Sequence, residues 1–169
     1  MMPAHKVEAF VTTARQIVRT RYPRLDTPDF TAIINETSFQ RLTGVIEDAH
    51  AKGAAIEHLI DGAAPDADLC KIPPTILRDV TDDMAVMQHE IFGPLLPIRT
   101  YREFEETIDY INSKPRPLAA YYFGEDREEE QAVLKRTTSG GVCVNDVIMH
   151  VMQEDLPFGG VGPSGMGAY

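Results

Sequence analysis

Two short segments of this chain hold residues whose types and spacing could do chemistry. In the first, EIFGP from Glu90 to Pro94, a carboxylate lies two residues before an aromatic ring, and Gly93-Pro94 fixes the chain after it. A carboxylate so placed can accept two hydroxyl hydrogen bonds from a ribose, while Phe92 offers a flat apolar face to a nicotinamide. The same letters also suit a surface acid ahead of a buried Phe and a tight turn. The second segment, LPFGGVGPSGMGAY from Leu156 to Tyr169, carries Gly159, Gly160, Gly162, Gly165 and Gly167. A phosphate-cradling loop needs a strand before it and a helix N-terminus after it, and no helical pattern follows here.

The two cysteines do not look like nucleophiles. An active thiol needs a lowered pKa, a base in reach and donors for the developing oxyanion. Cys143 sits inside the apolar run GVCVN and should pack as a small hydrophobe, while Cys70 precedes a double proline in a surface loop with Lys71 as its only obvious cationic neighbour. Asn145, after the same apolar run, is read as tying the following loop to backbone groups rather than as catalytic. His150 could face a substrate channel or simply solvent.

These residues must be positioned by alternating strands and helices. Val7, Phe10, Val11, Ala14, Ile17 and Val18 recur at helical spacing up to Pro23. A second helix is expected from Thr37, with Thr37 and Gln40 as a capping box, Phe39, Leu42, Ile46 and Ala49 on one face, and Gly53 as the stop. Strands are expected at Ala55 to Ile60, Thr75 to Val80, Leu95 to Tyr101, Leu118 to Phe123 and Val142 to Asn145, with helices over Phe104 to Ile111 and Asp126 to Thr138. The acids Glu128 to Glu130 fit a solvated first helical turn, where the macrodipole favours anions, better than a metal site. Continuous apolar strands alternating with helices predict an α/β fold, a three-layer α/β/α domain with a mostly parallel sheet.

Bulk properties bound the function. At 169 residues and 43% hydrophobic content the chain is long enough for one globular domain with its own core. With 26 Asp and Glu against 16 Lys and Arg, the net charge of -10 disfavours nucleic acid and anionic membrane as partners. No apolar run approaches the length of a transmembrane helix, and no leader pattern precedes the first helix, which predicts a soluble cytoplasmic protein. Two cysteines are too few for a disulfide framework and lack metal-ligand spacing.

The EIFGP and LPFGGVGPSG segments, with INSKPRPLAAYYFGED from Ile111 and SGGVCVNDVIMH from Ser139 between them, resemble the aldehyde dehydrogenase superfamily, and do so over nearly the whole chain. The wording NDVIMH with the later LPFGG is nearest the class 3 and coniferyl aldehyde branch. The resemblance implies an NAD(P)-dependent enzyme that oxidises an aldehyde to a carboxylic acid. It makes Glu90 the holder of the nicotinamide ribose and Phe92 the ring beside the nicotinamide, with Phe158, in the PFGG loop, near the aldehyde entrance, while His150, on the loop leading to it, keeps both of its readings. Ala168 departs from the arginine or similar residue common near the end of that loop.

The family's nucleophilic cysteine, general-base glutamate and dinucleotide-binding domain have no counterpart here. The chain therefore reads as the C-terminal catalytic portion of a longer enzyme, and the doubled Met1-Met2 fits a start placed inside it. Alone it is expected to be inactive and to bind no NAD or NADP, to expose a severed face that promotes homo-oligomers, and to leave Phe158 to Tyr169 poorly ordered or ordered only against another copy of the chain. Two other readings stay open: a stand-alone non-catalytic interaction domain, or a small α/β thiol enzyme using Cys70.

Overall fold

The computed structural model describes residues 1–167, which divide into two compact units, Met1–Tyr101 and the described residues from Arg102 onward. The first contains strand β1 (Met2–Pro3), helices α1 (Val7–Arg21) and α2 (Glu36–Ala51), strands β2 (Ala55–His58) and β3 (Thr75–Arg78), the short helix α3 (Ala85–Gln88), and strands β4 (Leu95–Pro97) and β5 (Thr100–Tyr101). β3 is the centre of a three-stranded sheet, antiparallel to β2 and parallel to β4.

Alternation along β3 builds the layers. Ile76 points into a cluster with Val7 and Val11 of α1, Leu59 and Ile98, whereas its neighbour Leu77 joins Phe39, Leu42, Val45, Ile46 and Ala49 of α2. Successive side chains leave opposite faces of a strand, so the sheet is covered by one helix on each side. That is the expected α/β/α arrangement.

Several expected elements shift in detail. The α2 cap is Asn35, whose side chain accepts from the Ser38 N–H at 2.8 Å, and not the Thr37–Gln40 box; Gln40 donates instead to Glu36 at 3.0 Å. On α1, Val7, Val11, Ala14 and Val18 meet the core, but Phe10 and Ile17 are exposed. At about 100° per residue those two lie roughly 70–90° off the centre of the stripe. The run Leu95 to Tyr101 is not one strand. Pro97 has no N–H to extend the ladder, Ile98 donates to Leu77 at 2.8 Å, and Thr100–Tyr101 then pairs in parallel with β1.

The second unit contains α4 (Phe104–Ser113), β6 (Ala119–Tyr122), α5 (Arg127–Arg136), β7 (Gly141–Val144) and the short α6 (Met149–Met152). β6 and β7 pair in parallel over four residue pairs. Ile108 of α4, Tyr122 of β6 and Val133 of α5 form its small core, with Phe104 and Ala132 against it. Asp126 caps α5 by accepting from the Glu128 and Glu129 N–H groups at 2.8 and 3.1 Å.

Over its described part the glycine-rich tail is folded back on itself. A Cβ on Gly160 would stand 2.3 Å from the Ser164 carbonyl oxygen, so these backbones touch. The Val161 N–H donates to Ser164 Oγ at 2.9 Å, and that hydroxyl returns to the Val161 carbonyl at 3.1 Å. Glycine here serves close backbone packing rather than mobility. Ala168 and Tyr169, the end of that segment, lie outside the described residues.

Candidate active-site segments

In the first unit, α2 acts as a template for the chain from α3 to Pro94. Asp48 accepts the Ala85 N–H at 2.8 Å, anchoring the start of α3, and pairs with Lys52 at 2.8 Å. These two partners, with the Lys52 hydrogen bond foremost, hold the Asp48 carboxyl below its usual pKa. About two helical turns toward the N-terminus, Arg41 donates to the carbonyls of Glu90 at 3.4 Å and Ile91 at 2.7 Å. Beneath the turn lies Leu42. A Cβ on Gly93 would come within 2.6 Å of Leu42 Cδ1, so only glycine lets the turn settle onto that side chain.

The consequence is an alternating display. Ile91 packs inward against the α2 cluster, while Glu90 and Phe92 point away from it. Phe92 is 83% exposed and holds a left-handed backbone, φ 46°. The Glu90 carboxylate has no hydrogen bond or ion pair among the described residues. A free carboxylate and an outward ring thus stand two residues apart on a clamped turn, both open to solvent.

In the second unit the candidate side chains gather at the end of β7. Asn145, at φ 55°, closes a two-bond clamp on Gly124: its Oδ1 accepts from the Gly124 N–H and its Nδ2 donates to the Gly124 carbonyl, both at 2.9 Å. This ties together the ends of β6 and β7, the structural task expected of it. The chain then turns at Ile148, φ 67°, into α6. That turn returns His150 to β7.

His150 is half-buried, not a free loop histidine. Its ring stacks edge-on with Tyr121 (centroids 5.7 Å apart) and tilted against Phe158 (5.9 Å). Its Nδ1 lies 3.4 Å from Cys143 Sγ, and its backbone N–H donates to the same sulfur at 3.3 Å. Gly141 admits the ring, since a Cβ there would stand 2.8 Å from His150 Cδ2. The structure thus brings His150 and Phe158 together and adds Tyr121 and Cys143, which the sequence reading did not place with them. Gly140 similarly makes room for the tail, with a Cβ position 2.1 Å from the Gly159 carbonyl oxygen.

Cys70 offers little as a nucleophile. It sits partly buried against the α2 cluster, and no base reaches its sulfur among the described residues. The same residues contain no group of three or more His, Cys, Asp or Glu able to hold a metal. No described helix is long and apolar enough to cross a membrane.

The α/β/α frame agrees with what known proteins show. The aldehyde dehydrogenase family model matches residues 2–169, and the chain belongs to that family. Within it, the chain is 52% identical over 172 residues to the coniferyl aldehyde dehydrogenase of a Pseudomonas species, covering all of this chain and 36% of that protein. A probable coniferyl aldehyde dehydrogenase of Pseudomonas aeruginosa is 51% identical over 170 residues, covering 100% of this chain and 35% of the relative. Among solved structures, a substrate-bound AldH of Staphylococcus aureus superposes with a TM-score of 0.87 at 38% identity, over 99% of this chain and 36% of the other. The chain therefore spans about a third of the length of these relatives.

Proposed function

We propose that this chain is the C-terminal catalytic portion of an NAD(P)-dependent aldehyde dehydrogenase that oxidises aromatic aldehydes of the coniferyl type to carboxylic acids. The observation that carries the reading is the unpaired Glu90 carboxylate beside an outward Phe92, on a turn held from below by Arg41 and Leu42. The relatives' names supply the substrate class.

Glu90 accepts the hydroxyls of the nicotinamide ribose, and Phe92 lies along one face of the ring. Bound nicotinamide supplies the hydride acceptor. Arg41 holds the turn by its carbonyls, so the carboxylate stays free for ligand instead of being spent on an internal ion pair. Phe158 and His150 line the aldehyde's approach. The nucleophilic cysteine and general base are assigned to the part of the enzyme outside this chain, which leaves the fragment without activity and without bound cofactor. Nucleic acid and membrane are not among its partners in this reading, which places the enzyme in the cytoplasm. Exposed Val147, Ile148, Met149, Val151, Met152 and Leu156 support self-association.

The test is Glu90→Gln in the enzyme that carries this chain. Hydride transfer is expected to slow by roughly tenfold to hundredfold from relaxed positioning, with acylation of the cysteine less affected. Pre-steady-state traces with unchanged hydride transfer and collapsed aldehyde binding would place Glu90 elsewhere.

A further inference from the structure

The sulfur that holds His150 belongs to a residue for which the chemistry above has no use. Cys143 is 7% exposed, so its thiol hydrogen must find an acceptor inside the protein. The sulfur already accepts the His150 backbone N–H, and Nδ1 of the same residue is the one other polar atom bonded to it among the described residues. If Nδ1 carried the imidazole proton, both ring and backbone would donate to sulfur and the buried S–H would be left without an acceptor. With the S–H donating to Nδ1, the sulfur uses one donor and one acceptor role and every group is satisfied. The ring proton then resides on Nε2, which has no hydrogen-bond partner among the described residues.

We propose that Cys143 is a positioning residue that fixes His150 as its Nε2–H tautomer, making His150 a hydrogen-bond donor to a ring oxygen of an oxygenated aromatic aldehyde. Its substrate half rests on the reading above that this segment lines the aldehyde's approach. Tyr121 and Phe158 hold the imidazole plane on two sides, and their rings give an aryl substrate stacking surface next to that donor. Discrimination for a ring hydroxyl or methoxy group follows, because an aldehyde lacking ring oxygens leaves the Nε2–H without its partner.

Two measurements decide it. Long-range ¹H–¹⁵N spectra of the 169-residue chain at about pH 8 read the tautomer directly. Expected are a single Nε2–H form in the wild type, its retention in Cys143→Ser, and a mixture of tautomers in Cys143→Ala. A wild-type Nδ1–H form, or a Cys143→Ala spectrum unchanged from wild type, overturns the proposal and leaves the aldehyde dehydrogenase reading untouched.

In the enzyme that carries this chain, the second measurement is the ratio of kcat/KM for coniferyl aldehyde over cinnamaldehyde. It should fall about fivefold to tenfold in His150→Phe and in Cys143→Ala, and change by less than about twofold in Cys143→Ser. An unchanged ratio in His150→Phe overturns the substrate contact. A wild-type enzyme that oxidises neither aldehyde refutes the proposed function instead, and the tautomer spectra then stand by themselves.

Discussion

Adding one methyl group at Gly93 tests whether α2 sets the position of the EIFGP turn. The new Cβ would lie 2.6 and 2.7 Å from the two methyl carbons of Leu42. Carbon atoms prefer about 3.5–4.0 Å, so roughly 1 Å must be found by movement. Leu42 is fully buried in the α2 cluster and cannot swing aside without disturbing its neighbours. Gly93 is not among the residues with positive φ, so the alanine carries no backbone strain of its own and the penalty is overpacking.

Gly93→Ala should therefore cost about 1–3 kcal/mol. Leu42→Ala alone should cost about 2.7–5.0 kcal/mol by opening a cavity. In the double variant the added methyl enters the vacated space, and the combined loss should fall short of the sum by roughly 1–2 kcal/mol. Urea unfolding of the four proteins followed by circular dichroism measures this, each kcal/mol moving the midpoint by about 0.3–1 M. Losses that add to within about 0.5 kcal/mol would refute the claim that the turn rests on Leu42.

Burial pushes the His58 pKa below its ordinary value, and its Nδ1 lies 2.8 Å from a Thr75 hydroxyl that itself donates to the Pro73 carbonyl at 2.7 Å. The unfolded chain binds a proton first as pH falls below about 6.5, so stability should drop from there down to the lowered folded pKa; urea midpoints at pH 7.5 and 5 should differ less in His58→Gln than in wild type. Asn145→Ala removes both bonds of the Gly124 clamp and leaves alanine at φ 55°, for a loss of about 2–4 kcal/mol; Asn145→Gly should lose less, and equal losses would show that backbone strain plays no part. Purified alone, the chain should reduce neither NAD nor NADP with coniferyl aldehyde; turnover that survives Cys70→Ala and Cys143→Ala would defeat the assignment of the nucleophile elsewhere.

Sequence patterns identified α2 well because Phe39, Leu42, Ile46 and Ala49, all buried, repeat at the helical period. Its cap was misplaced because Asn35 and Thr37 are both good capping residues, and only the extended backbone at Asn35, φ -161° and ψ 168°, decides between them. α3 and α6 are each four residues long and carry no period to detect. Glu90 and Phe92 were legible as a local pattern. Arg41 was not, since the carbonyls it grips lie 49 and 50 residues away. The Cys143–His150 contact depends on left-handed turns at Asn145 and Ile148, and non-glycine residues seldom announce that conformation.

A phenylalanine that is mostly solvated and held at φ 46° is a poor choice for a chain judged only on how well it folds. Glycine at position 92 would relieve about 1–2 kcal/mol of left-handed strain and forfeit little packing. A library of this domain screened for thermal resistance alone should therefore drift toward Phe92→Gly, while one screened for turnover in the longer enzyme should retain the ring. Engineers seeking a sturdier version would do well to freeze position 92 before any heat selection begins, because the gain there would be drawn from the residue proposed to face the nicotinamide.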